Sequence, residues 1–130
     1  MNWTNYLQDA SRLKSIYSSD PELKGVRLHE VRLHQDGPRV SLRIDLNTFP
    51  SKPPQKWACN HFNRVQITLA LYDVTEIRIN GFGLNNIGDV NISQNDSIIF
   101  FEFIDEGTQL ICRCKYILLD DISAYHDSKA

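Results

Sequence analysis

Alternation of apolar and polar positions is the dominant pattern along this chain. Apolar side chains at positions 40, 42, 44 and 46 alternate with polar ones, and the same period returns from 65 to 71. A period of two residues places one face of a strand in a core and the other in water, which indicates half-buried antiparallel strands. The pattern predicts seven strands: Val26–His34, Arg39–Asn47, Arg64–Tyr72, Thr75–Asn80, Ile87–Gln94, Ser97–Ile104 and Gln109–Leu118.

Short polar connections between these strands predict hairpins. Gln35–Pro38 contains a glycine that tolerates positive φ, and Asp105–Gly107 and Asn95-Asp96 carry similar turn residues. Short connections favour antiparallel neighbours. The apolar pattern of the first strand changes parity between Leu28 and Val31, which predicts a β-bulge near His29-Glu30.

The N-terminal segment shows a different period. Trp3, Leu7, Leu13 and other apolar residues recur at helical spacing, which predicts a helix over about residues 4–18 that packs on the sheet. Asp20-Pro21 ends it, because a residue before proline avoids the α region. The predicted fold class is mainly β (α+β), with this helix on a curved antiparallel sheet or a two-sheet sandwich of about seven strands.

A proline-rich segment, Phe49–Trp57, separates two of the strand patterns. Its three closely spaced prolines cannot join a sheet ladder, so we expect a stiff, extended, polyproline-like connection. Its terminal aromatic residues are predicted to pack against the core rather than to contact a partner.

The length of 130 residues and the 42% hydrophobic composition favour a single domain over residues 1–130. Within it we expect the helix at about 4–18, the β region at about 26–118 and a short C-terminal tail. The longest apolar runs are too short to span a bilayer.

Charge is unevenly distributed although the net charge is only −2. Residues 1–80 carry 11 basic and 8 acidic side chains, whereas residues 81–130 carry 3 basic and 8 acidic ones. This balance argues against nucleic acid or a membrane as a partner. Either the acids of the C-terminal region are solvated loop residues, or they indicate that a partner docking there is basic.

Three cysteines, Cys59, Cys112 and Cys114, cannot form a closed disulfide framework, and the N-terminus lacks the pattern of a signal peptide. We therefore expect a cytoplasmic protein. Cys112 and Cys114 fall on the apolar side of a predicted strand, where thiols pack as small hydrophobic groups. A second metal-binding pair is missing, so neither a metal nor another cofactor is predicted.

Catalytic motifs are not apparent in the sequence. Cys59 and His61 are too close in the chain for a typical nucleophile and base, which usually come from distant segments. His29 and His34 lack a third ligand for a metal. No phosphate-binding loop and no nucleophile elbow is present. We therefore predict that the protein is not an enzyme.

The order of several motifs carries a family resemblance. A Trp-led helix is followed by Pro21-Glu22-Leu23, a His34–Gly37 turn, a Pro-x-x-Pro-Pro-x-x-Trp segment ending at Trp57, and Asn63 before a Val-x-Ile-x-Leu strand. In this order the chain resembles the immunity protein 50 family of bacterial polymorphic toxin systems. The resemblance implies a protein that binds and neutralises a cognate toxin domain by occlusion.

The sequence also suggests where such a partner would bind. Phe82 lies between two glycines and is a candidate aromatic anchor. The acidic candidates beside it are Asp89, Asp96, Glu102, Asp105 and Glu106.

Two alternatives stay open at this point. One is a small-ligand or carbohydrate-binding β domain, since curved sheets hold ligands in their mouths. The other is an enzyme whose histidine and carboxylate meet only in the folded chain. A homodimer is feasible through an exposed edge strand.

Overall fold

A computed structural model describes residues 2–129 of the chain and is mainly β. Eight antiparallel strands form one open sheet in the order β4-β7-β6-β5-β1-β2-β3-β8. The strands are β1 (Val26–His34), β2 (Arg39–Asp45), β3 (Arg64–Tyr72), β4 (Glu76–Asn80), β5 (Ile87–Asn95), β6 (Ile98–Ile104), β7 (Gln109–Cys114) and β8 (Tyr116–Tyr125). The helices are a 3-10 turn (Trp3–Tyr6), α1 (Ser11–Ile16) and α2 (Gln55–Cys59).

The predicted hairpins and the predicted bulge are confirmed. β1 pairs with β2, β5 with β6, and β6 with β7, each in antiparallel register. The register of β1 against β2 shifts between Leu28 and Glu30. As a result His29 bulges out, and both halves of β1 keep their apolar side chains on the inner face.

The sheet consists of two halves that share one core. β1 and β5 pair only at Val26 with Gly88 and at Arg27 with Ile87, and this short contact joins β1-β2-β3-β8 to β4-β7-β6-β5. Buried side chains from both halves belong to a single hydrophobic cluster, including Leu42, Leu69 and Phe101. The sheet is therefore folded so that the inner faces of its two halves enclose the same core.

The single helix predicted over residues 4–18 is wrong. The segment forms the 3-10 turn and the six-residue α1, with an extended link at Leu7 and Gln8. There the backbone N–H of Gln8 donates to the carbonyl of Ile117 at 2.9 Å, so β8 replaces the helical hydrogen-bond partner. The Asp9 carboxylate then accepts from the N–H of Ser11, the first residue of α1, in an Asx turn.

The proline-rich connection is extended only in part. Its second half forms α2, which begins at Gln55, directly after the extended N-cap residue Pro54. Phe49 and Trp57 are half-buried against the core, and their ring centroids lie 6.2 Å apart. The predicted packing of these two aromatic residues is thus confirmed, whereas the fully extended bridge is not.

The strand predicted over Gln109–Leu118 is two strands, and the predicted C-terminal tail is mostly strand. The chain leaves β7 at Cys114, crosses at Lys115 to the other half of the sheet, and continues as β8 to Tyr125. A register shift beside Leu119 breaks the alternation of β8 against β3. This irregularity explains why the sequence pattern fades before the strand ends.

Cys112 and Cys114 lie on the inner face of β7 and are fully buried, as predicted. Burial raises the pKa of each thiol to about 12, and the neighbouring Cys114 adds to the effect on Cys112. Cys59 is exposed. The two core thiols therefore act as apolar packing groups.

Candidate partner-binding surface

Two loops meet at one end of the β4-β7-β6-β5 half: residues 81–86, between β4 and β5, and residues 105–108, between β6 and β7. They approach so closely that a Cβ added at Gly81 would lie 1.9 Å from the carbonyl oxygen of Gly107. Gly81 also has a φ of +73°, which an L side chain rarely adopts. We call these two loops, with the strand residues beside them, the loop end.

Asn86 ties the two loops together. Its side chain is buried, its Oδ1 accepts from the N–H of Gly83 at 2.8 Å and from the hydroxyl of Thr108 at 3.0 Å, and its Nδ2 donates to the Gly83 carbonyl. The Asn86 carbonyl accepts from the N–H of Leu28 in β1. The loop that carries Phe82 is therefore fixed at its base before any partner arrives.

Asp105 shapes the second loop. Its Oδ1 accepts from the backbone N–H groups of Gly107 at 2.7 Å and Thr108 at 2.6 Å. A carboxylate that closes its own turn is part of the fold. Glu106, which follows it, is exposed and projects from the turn without a side-chain hydrogen bond in residues 2–129.

Large apolar side chains are exposed around these loops. Phe82 is 54% exposed and Leu84 is fully exposed. Three more lie on the strand ends beside them: Ile79, Ile87 and Ile104. A group of exposed apolar residues at one end of a small protein is typical of a binding surface.

The acidic residues of this region lack cationic partners. Seven Arg or Lys ion pairs and the His29–Asp45 contact occur in the part of the chain that the structure describes. None of them includes a candidate acid from the sequence, namely Asp89, Asp96, Glu102, Asp105 or Glu106. The charge of these five acids is thus uncompensated by ion pairs within residues 2–129, whereas Asp121 and Asp127 of the C-terminal region are paired with Arg12 and Arg64.

The structure places three of the six candidate residues around one cavity. Phe82, Asp105 and Glu106 line one cavity of about 590 Å³ at the loop end. Asp89 and Glu102 lie on the outer face of β5 and β6, where Asp89 pairs in register with Ile104 and Glu102 with Asn91. Asp96 is in the β5–β6 turn, at the opposite end of β6, and does not join the others.

Outside the loop end lies a buried polar cluster that has no recognisable signal in the sequence. Asp45 on the outer face of β2 is only 2% exposed, and it accepts from Gln66 at 2.9 Å and from the hydroxyl of Tyr125. His29 Nε2 lies 2.6 Å from the same carboxylate. Burial and the bond to Asp45 raise the pKa of Tyr125 to about 12. In sequence Asp45 was one polar residue of an alternating strand.

The histidines of the described residues lie in two separate places. Because of the bulge, His29 and His34 both lie on the outer face of β1. His29 is hydrogen-bonded to Asp45. His61 is in a positive-φ turn, where its carbonyl contacts His126. Among residues 2–129 no group of three metal-ligating side chains is close enough to hold an ion.

The comparison with protein families decides the affiliation. The model of the immunity protein 50 family matches residues 9–125. The chain belongs to this family. Searches among curated proteins and among solved structures return no match. No helix within the described residues has the length and apolar character needed to cross a membrane.

Proposed function

We propose that this protein binds a cognate toxin domain through the loop end and neutralises it by occlusion, without catalysis, in the cytoplasm of the producing bacterium. Membership of the immunity protein 50 family supports the class of partner. The observation that carries the proposed location is the coincidence of exposed apolar side chains and uncompensated acids around one pre-formed pair of loops.

The proposed partner surface is basic with an apolar pocket. Phe82 supplies a large aromatic contact on a fixed loop, which lowers the entropy lost on binding. Glu106 and Asp89 supply negative charge that accelerates encounter with a basic protein. A toxin that acts on an anionic substrate has such a surface at its active site, so occlusion there would block the reaction.

Isothermal titration calorimetry with the C-terminal domain encoded by the neighbouring gene tests this function. We expect the wild-type protein to bind and to abolish toxicity on co-expression. Phe82→Ala should weaken binding by about 30-fold, because it removes the aromatic anchor. Asp96→Asn, at the far end of β6, is the matched surface control and should bind like wild type. Equal affinity for both variants would reject the loop end as the interface.

A small-ligand or carbohydrate-binding role is the second candidate. The loop-end cavity has the size of a ligand pocket, and its lining includes Phe82, Asn85 and Glu106, an aromatic, an amide and a carboxylate. Sugars are bound by such groups. Titration with a panel of monosaccharides, followed by NMR shifts of Gly83 and Gly107, would reveal this activity, and shifts at other residues alone would argue against it.

A further inference from the structure

Most of β1 has one unpaired edge. Within residues 2–129, β5 pairs with β1 only at Val26 and Arg27. The last backbone hydrogen bond on that side runs from the Leu28 N–H to the Asn86 carbonyl. From residue 30 to 34 the pairing of β1 within residues 2–129 is with β2 alone. Because backbone groups of an antiparallel strand point alternately to its two sides, this segment presents free N–H and C=O groups on the β5 side.

A second free edge faces the same space. Within residues 2–129, β4 is the first strand of the sheet and pairs with β7 on one side only. A cleft of about 370 Å³ separates it from β1, and its lining residues are His29, Glu30, Val31, Ile79 and Phe82. We call this cleft the seam.

The seam exposes side chains that belong to the inner face. Ile79 pairs in register with the fully buried Leu110, yet it is itself 41% exposed. Leu33 pairs with the buried Val40 and is 62% exposed. In each pair one residue is covered by the core and the other is not. The inner face is therefore uncovered where β1 and β4 separate.

We propose that an extended segment of the cognate toxin domain adds as a strand along the free edge of β1 and fills the seam. This inference rests on the proposed function and specifies how the partner binds. Strand addition satisfies the free backbone groups, and a period of two would place apolar side chains of the segment over Val31, Leu33 and Ile79.

Charge at one end of the seam specifies the segment further. Phe82 lines both the seam and the loop-end cavity, so an occupant of the seam that passes Phe82 arrives beside Glu106 and Asp105. Glu106 has no ion pair in the described part of the chain. The fitting segment is thus extended, apolar at alternate positions, and basic where it leaves the seam. A helix would cover the apolar residues but leave the edge groups unpaired.

Hydrogen exchange and affinity together test the proposal, with the neighbouring gene's C-terminal domain as the probe. On complex formation, amides of residues 30–34 that face the seam should exchange at least about tenfold more slowly. Leu33→Lys and Ile79→Lys should each weaken binding by at least about tenfold, because each buries a charge. Leu118→Lys is the matched control, since Leu118 is 37% exposed on the outer face of β8. Thermal unfolding verifies that all variants are folded.

The outcomes separate this inference from the proposed function. Slower exchange in β1 with loss of affinity for both seam variants, and not for Leu118→Lys, would support strand addition. Tight binding and neutralisation with unchanged β1 exchange and unchanged affinity of the seam variants would overturn the strand and leave the toxin-binding function standing. Failure of the wild-type protein to bind or neutralise the domain would overturn both.

Discussion

The outer face of β1-β2-β3-β8 and the loop end differ in whether their charged side chains have partners. On the outer face Glu30 contacts both Arg32 and Arg43, and Arg64 pairs with Asp127. Asp45 is buried among three polar side chains. At the loop end Glu106 and Asp89 have no ion-pair partner within residues 2–129. The charged groups named on the first surface have partners, although the Nε atoms of Arg39 and Arg64 lack a hydrogen bond, whereas the two acids at the loop end have no ion pair.

From this difference we predict that the paired polar groups serve the fold and that the unpaired acids serve the proposed partner. A buried carboxylate needs partners, so its removal costs stability. An exposed acid without a partner contributes little to stability but contributes to association with a cation-bearing surface. Substitutions in the two regions should therefore affect different measurements.

Substitution of Asp45 should have the largest effect, and that effect is on stability. Asp45→Ala leaves His29, Gln66 and Tyr125 without their shared acceptor and should lower the free energy of unfolding by about 4 kcal/mol. Glu102→Ala, on the outer face of the other half, should change it by less than about 0.5 kcal/mol. Urea unfolding followed by fluorescence measures both. Similar losses for the two variants would contradict the distinction between the regions.

The second largest effect should be the loss of folding stability at alkaline pH, which originates in the core. The pKa values of Cys112 and Cys114 are raised from 9.0 to about 12 in the folded protein. The unfolded chain therefore releases these protons first, so stability is full below about pH 9 and is lost as pH rises toward 12. Between pH 8 and pH 10 the two thiols together account for a loss of about 3 kcal/mol.

Urea unfolding at both pH values measures this loss. A Cys112→Ala/Cys114→Ala variant starts from a lower stability because of the cavities it creates, but its stability should fall by less over the same range. An equal fall in the variant would show that other groups cause the alkaline effect.

Substitution of Phe82 should have the third largest effect, and it should change binding affinity but not stability. Phe82→Ala should reduce the affinity for the toxin domain by about 2 kcal/mol while the free energy of unfolding changes by less than about 0.5 kcal/mol, because the ring is more than half exposed. Calorimetry and urea unfolding of the same preparation provide both values. A comparable loss of stability would mean that Phe82 belongs to the core instead.

The smallest effect should come from one charge at the loop end. Glu106→Gln should slow association about threefold at low salt, and the difference should vanish in about 500 mM salt. Asp96→Asn removes the same charge at the far end of β6 and should leave the rate unchanged. Stopped-flow mixing measures the rates. Equal slowing by both variants would point to net charge rather than to location.

Strands were the most predictable part of the fold. Alternation located the first six strands to within one or two residues, and the parity change in β1 located the bulge at His29. These features depend on the local contrast between apolar and polar neighbours. The bulge near Asp120 interrupts that contrast, so the second half of β8 was not recognised.

The helices were less predictable because tertiary contacts decide them. Helical spacing at the N-terminus is real, but the bond from Gln8 to Ile117 in β8 divides the segment. Nothing local to residues 4–18 signals that strand. By contrast, α2 has a local signal, namely the good helix formers Gln55, Lys56 and Ala58.

The candidate surface could be predicted in composition but not in shape. The excess of acids after residue 81 and the glycines around Phe82 were visible in the sequence. The contact between the two loops, the exclusion of Asp96 and the seam beside Val31 depend on how the sheet folds over itself. The pairing of Asp45 with Tyr125 joins residues 80 positions apart and had no local signal.

The most direct test of the account is co-expression of the neighbouring gene's C-terminal domain in a heterologous bacterium. The protein would be supplied as wild type, as Phe82→Ala/Glu106→Lys, or as the control Asp96→Asn. We predict survival with the wild type and the control, each with a co-purifying complex, and loss of both survival and complex with the double variant. Full protection by the folded double variant, or no protection by the wild type from a domain that is toxic alone, would contradict the account.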